Sequence, residues 1–142
     1  MAEAYAGFFE YRRERYDFDT AIAQWDGRRL DAYASGDCAL VYFCGIPFGP
    51  VDEFAELNGQ TFCGDGGETV FSEGLVRFFE KNYRVEGNAE IRCVAANPEK
   101  RIVSLEFEFK IALSSRPSRR ARGGMRCVLG DIPALPDQSL DE

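Results

Sequence analysis

The 142-residue chain contains no histidine. That absence removes the commonest general base and metal ligand, and with it Ser-His and Cys-His nucleophiles and the two-histidine iron sites. The five cysteines, Cys38, Cys44, Cys63, Cys93 and Cys127, are odd in number, form no C-x-x-C pair and have no histidine to complete a zinc site. Reduced thiols and an intracellular, reducing compartment, by default the cytoplasm, follow as expectations. No segment approaches the roughly 20 apolar residues of a membrane-spanning helix, and no apolar run of signal-peptide length stands near Met1. Positive charge is also in deficit, 17 Lys and Arg against 24 Asp and Glu, for a formal net charge of -7. Such a balance opposes broad binding to nucleic acid, whose affinity comes mainly from neutralised phosphates. The glycines of GDGGE, residues 64–68, match neither a dinucleotide fingerprint nor a phosphate loop, so neither a cofactor nor a metal is expected.

The chain is rich in aromatic residues, with twelve Phe, six Tyr and one Trp. Each of these buries a large area, so one well-filled core is expected without disulfides. Tyr5, Phe8, Phe9, Arg12 and Tyr16 recur at helical spacing and predict a helix over residues 2–16, with Arg13 on its wet side. Asp17 or Asp19 caps a second helical segment carrying Phe18, Ile22 and Trp25 on one face and ending near Gly27, and residues 28–34 read as a third. Ser72 caps a further helix over residues 73–83, with Leu75, Phe78, Phe79 and Tyr83 as its buried stripe.

Strands are predicted where apolar and polar residues alternate. The stretch ALVYFCGIPFGP, residues 39–50, opens as a strand over residues 38–44 with both faces apolar, then leaves the sheet as a turn or lid at its prolines. A weaker strand is suggested at residues 60–63. EIRCVAA, the turn NPEK and RIVSLEFEFKIAL make the clearest signal, a hairpin with Val103, Leu105, Phe107, Phe109, Ile111 and Leu113 on its dry face. Slipping that register by one residue would expose all six, a loss on the order of 10 kcal/mol. SSRPSRRARGG then reads as an exposed loop, MRCVLGDI as a last strand with Met125, Cys127 and Leu129 inward, and residues 131–142 as an acidic tail following a single domain over residues 1–130.

Helices followed by antiparallel strands predict an α+β fold, with N-terminal helices packed on a curved sheet. WDGRRLDAYASGDCALVYF, SEGLVRFFEKNY and the hairpin over residues 90–113 resemble corresponding passages of the nuclear transport factor 2-like superfamily, the cone shared by ketosteroid isomerases and polyketide cyclases. The resemblance spans residues 5–130 and implies an apolar pocket between helices and sheet, to which Trp25, Phe43, Phe79, Phe107 and Phe109 would contribute. It does not carry over the isomerases' catalytic pair, because Tyr42 or Phe43 stands where the base would be and residues 125–129 hold no carboxylic acid. It also implies a cone short of its last strand, an open edge that a partner chain or a second copy would cover.

Three functional readings follow. The first is a non-catalytic interaction or accessory subunit, a homodimer or part of a larger assembly, that associates through its sheet and an arginine-rich loop. Arg116, Arg119, Arg120, Arg122 and Arg126 form that loop's cluster, uninterrupted by acid from residue 110 to 130 and suited to an acidic protein surface. The second is a small isomerase, cyclase or dehydratase in which Tyr16 and Tyr42 polarise an apolar ligand's carbonyl. The third is a carrier of a hydrophobic ligand. Glu106 and Glu108, two apart on one strand face, read as a solvated or salt-bridged outer surface rather than a catalytic pair.

Overall fold

The computed structural model describes residues 6–48, 53–65, 69–71, 74–113 and 116–135. Ten strands account for most of them: β1 (Gly7–Tyr11), β2 (Glu14–Asp17), β3 (Thr20–Trp25), β4 (Leu30–Ser35), β5 (Ala39–Ile46), β6 (Thr61–Asp65), β7 (Leu75–Phe78), β8 (Lys81–Asn97), β9 (Ile102–Ala112) and β10 (Arg119–Leu129). Successive neighbours from β3 through β4, β5, β7, β8 and β9 pair antiparallel to β10, and a short parallel contact of Val128 and Leu129 with Ile22 and Ala23 returns the ladder to β3. The result is a closed seven-stranded barrel. The long strands share their edges. β10 pairs with β1 over residues 121–125 before meeting β3, and β8 pairs with β7 near its start and with β6 further on. The hairpin β1–β2 and the strand β6 thus extend the barrel sideways. Register shifts near Gly87 and Val94 bend β8 so that it can serve both partners.

Alternation along β9 turns Val103, Leu105, Phe107, Phe109 and Ile111 into the barrel, while Glu106, Glu108 and Lys110 stand outside. From β5 come Ala39, Val41 and Phe43. The Phe43 ring meets Phe71, Phe107 and Phe109 at centroid separations of 5.1, 5.4 and 6.1 Å, and Phe107 stacks on Phe109. The uncharged stretch that opens at Ala39 is therefore barrel wall whose inward aromatics fill the interior. Where β1 crosses β10, the chains approach closely: a Cβ on Gly123 would strike the Phe8 carbonyl, and Gly7 adopts φ +127 against the Gly124 carbonyl.

The expected α+β cone is overturned. Among the described residues there is no α-helix, only a single 3-10 turn at Phe54–Leu57. Of the segment expected as the first helix, the described residues form β1 and β2; the second forms β3; residues 28–34 lead into β4; residues 75–83 form β7, a turn and the start of β8. The likeness to the nuclear transport factor 2-like superfamily falls with those helices, as does the notion of a cone missing its last strand. Propensity is a weak prior. Here aromatic side chains that can pack on a pleated surface find cross-strand partners, and that gain outweighs it. The arginine-rich segment expected as loop is likewise strand from Arg119 onward, paired with β9 and β1. The Ser72 cap, the glycines of residues 66–67, the lid residues 49–50 and the tail over residues 136–142 lie outside the described residues.

Two hairpins turn on residue pairs with positive φ and no glycine: Arg12 and Arg13 (56° and 68°) between β1 and β2, and Phe79 and Glu80 (50° and 65°) between β7 and β8. Two left-handed central residues define the tight turn that suits strand twist, normally built from Asn and Gly. Both turns stand at the same end of the barrel as the start of β10.

Candidate functional site

The pairing of Tyr11 with Ala121 brings the Arg12–Arg13 turn beside the start of β10. There Glu10, Arg12, Arg13, Arg119, Arg120 and Arg122 line a concavity of about 420 Å³. Strand alternation sends Arg120 and Arg122 to the outer face, since Ala121 and Gly123 are buried, while Arg119 begins the strand at the barrel mouth. Arg122 Nε donates to Glu10 Oε1 at 2.8 Å, and Arg120 Nε lies 3.2 Å from Glu108 Oε2. Arg12, Arg13 and Arg119 have no carboxylate partner among the described residues. Five guanidinium groups thus meet two carboxylates. The hydrogen bond and negative charge of Glu10 hold the Arg122 proton more tightly than usual, so this rim stays cationic at any physiological pH.

An exposed surface of this kind binds anions through planar, two-pronged contacts. Each exposed pair contributes little, about 0–1 kcal/mol, so useful affinity requires several at once. The convergence of two chain segments supplies that number. Of the five arginines singled out by sequence, Arg119, Arg120 and Arg122 line the cleft. Arg116 lies in the connection before β10, and Arg126 stands on the outer face of β10 opposite Ser104, roughly 13 Å along the strand from Arg122. Arg12 and Arg13, which complete the cleft, were expected on a helix. Their signal was the pair of short alternating runs, GFFEY and ERYD, separated by two residues.

The remaining candidates do not assemble into one pocket. Phe43, Phe107 and Phe109 are barrel core. Phe79 is 55% exposed at its hairpin tip, touching Tyr16 and Phe78, whereas Trp25 lies at the opposite mouth against Phe54. Tyr16 donates to Glu14 Oε2 at 3.1 Å and packs edge-on against Phe78. Partial desolvation first, then the Glu14 contact, raise its pKa. Tyr42 alternates with buried Val41 and Phe43, so its side chain stands on the outer face of β5. Glu106 pairs with Arg92 and Glu108 with Arg120, on the outside of the barrel.

None of the five cysteines forms a disulfide. Burial pushes Cys93 up to about 11 and Cys127 higher still, while Cys63 is exposed. Titration with an aromatic disulfide reagent is therefore expected to modify Cys63 at once, and Cys93 and Cys127 only as fast as the barrel opens. The raised thiol pKa of Cys93 also sets a sign. Its stabilising contribution is intact below the ordinary value of 9.0 and is lost as pH climbs toward about 11, because the unfolded thiol ionises first.

Fold and cleft together define a closed β-barrel carrying a lateral hairpin whose turn completes a cationic surface. No protein-family model matches the chain, and neither a curated protein nor a solved structure does. No helix among the described residues is long and apolar enough to cross a membrane.

Proposed function

We propose that this protein is a non-catalytic interaction module that captures an acidic segment of a partner protein in the arginine cleft. The convergence of Arg12 and Arg13 with Arg119, Arg120 and Arg122 carries the reading. A net charge of -7 confines the attraction to this patch: a long polyanion such as a duplex would meet repulsion beyond it, whereas a short acidic segment fits within it. The sheet offers the second surface of association. β2 and β6 end the strand path, and each leaves one edge without a partner strand among the described residues, open to a second copy or to the partner itself. Five cysteines without a disulfide suit a reducing, cytoplasmic setting. An interaction module is preferred over a pocket enzyme because Tyr16 is engaged with Glu14 at one end of the barrel and Tyr42 faces outward from β5.

The test is fluorescence anisotropy with a labelled decaglutamate peptide. Arg119→Glu combined with Arg120→Glu is expected to weaken binding about tenfold or more, roughly 1.4 kcal/mol, with an unchanged melting temperature because both side chains are exposed. Added salt should weaken binding to the parent protein and barely alter the variant. Equal affinity of variant and parent would end the proposal, as would tighter binding of a DNA oligonucleotide or anionic vesicles than of the peptide. Sedimentation of the same samples shows whether a second copy takes the place of the peptide.

A further inference from the structure

At the other mouth of the barrel, away from the arginine cleft, lies a second concavity of about 410 Å³, within the range of small-molecule sites. Its wall is aromatic. Trp25, the last residue of β3, meets Phe54 edge-on at 6.3 Å, and both rings are half-buried, so each keeps a surface open to the cavity. Its floor is pinned by backbone hydrogen bonds from Leu129 N to the Arg101 carbonyl, 2.8 Å, and from Gly130 N to the Ala23 carbonyl, 3.0 Å. Arg101 and Asp131 also line the cavity, one cationic and one anionic, yet they form no ion pair with each other. Arg101 sits at φ 56°, a conformation in which Gly or Asn would be more comfortable. A large cationic side chain kept at such a turn position points to a use for that side chain.

A cavity that combines two aromatic rings set edge to face with one cationic and one anionic side chain recognises a molecule with the matching pattern. From this arrangement we infer that the cavity binds a free aromatic amino acid: the ring lies against Trp25 and Phe54, the carboxylate meets the Arg101 guanidinium, and the ammonium meets the Asp131 carboxylate. Carboxylate recognition by guanidinium is two-pronged and directional, and the two charges together discriminate against ligands that carry only one. The inference is independent of the arginine cleft, which shares no residue with this site.

Trp25 is the chain's only tryptophan, so its emission reports occupancy directly. The experiment titrates the full chain with L-phenylalanine, exciting at the red edge of indole absorption where neither the ligand nor the protein's tyrosines contribute. A saturable change in Trp25 emission is expected, with 3-phenylpropionate and phenethylamine each binding at least about tenfold more weakly. Arg101→Asn, chosen because Asn tolerates the left-handed turn, should weaken L-phenylalanine about tenfold while keeping or raising the melting temperature. Asp131→Asn should do the same, and should leave 3-phenylpropionate unaffected. No saturable change up to about 10 mM would overturn the inference. So would equal affinity for the three compounds, or unaltered affinity in both variants.

Discussion

Replacing Phe43 with alanine is expected to lower the unfolding free energy by about 3–5 kcal/mol, the upper range for a single core truncation. The ring is fully buried and touches aromatic side chains from two other parts of the chain: Phe71, and Phe107 with Phe109 on β9. Its neighbours cannot readily collapse into the space, because Phe107 and Phe109 are held in stacked contact on β9, itself paired with both β8 and β10. The cost is therefore the lost transfer energy plus that of an unrelaxed cavity. Urea denaturation followed by far-ultraviolet circular dichroism measures it, and the midpoint should fall without a change in slope. A loss below about 1.5 kcal/mol would mean that the interior re-forms around the gap, and that the Phe43 cluster is not the packed centre of the barrel.

That centre was legible in the sequence. Strict alternation from Val103 to Ile111 assigned the inward face of β9 correctly, and the apolar run from Ala39 to Cys44 announced β5. The hairpins β1–β2 and β7–β8 and the pair β3–β4 were not legible, for reasons that can be located. In β1–β2 and in β7–β8, two short strands are joined by only two residues, so inward side chains before and after the turn fall at separations that imitate a helical stripe. Phe9 and Tyr16 do this across Arg12–Arg13, and Val76 and Tyr83 do it across Phe79–Glu80, each pair seven residues apart and directly opposite in the ladder, while Leu75 falls on the other face of β7. Neither turn contains the Gly, Asn or Pro that would have broken the helical pattern. A different misdirection acts in β3 and β4, where Ala21 and Ala23 pair with Ala34 and Ala32. Alanine favours helices by propensity, yet here the small side chains are buried on a strand face. The Asp26–Gly27 signal between them, read as a helix end, is a hairpin turn in which Asp26 Oδ1 accepts from the amides of Arg28 and Arg29.

The candidate site was half legible for the same reason. Arg119, Arg120 and Arg122 are obvious as a basic run, but their partners lie more than a hundred residues earlier and reach them only through the β1–β10 pairing. That pairing in turn depends on the absence of a side chain at Gly123. A pattern reading confined to neighbouring residues has no access to such a contact.

Exchanging Arg12 and Arg13 for Asn and Gly is expected to separate stability from binding. Each arginine occupies a left-handed conformation that costs an ordinary residue about 1–2 kcal/mol, whereas Asn-Gly is the pair best suited to this turn. Glycine gives back roughly 0.5–1 kcal/mol through its greater freedom in the unfolded chain. Loss of two cations also relieves repulsion within a cleft where guanidinium groups outnumber carboxylates. The variant should therefore be more stable, by about 1–2 kcal/mol in urea denaturation, and should bind the decaglutamate peptide several-fold more weakly. The matched control is Glu80→Gly, which relieves a left-handed position of the same kind outside the cleft while leaving Phe79 packed on Phe78 and Tyr16, and should add part of that stability without altering peptide affinity. If the Arg12–Arg13 exchange stabilised the fold and left peptide binding intact, the strain would have no connection with anion capture. If it destabilised the fold, the two arginine side chains would be serving the packing of the hairpin rather than a partner. The proposed cleft requires the remaining outcome, in which the chain retains a costly turn because of the charges that the turn holds beside Arg119 and Arg120.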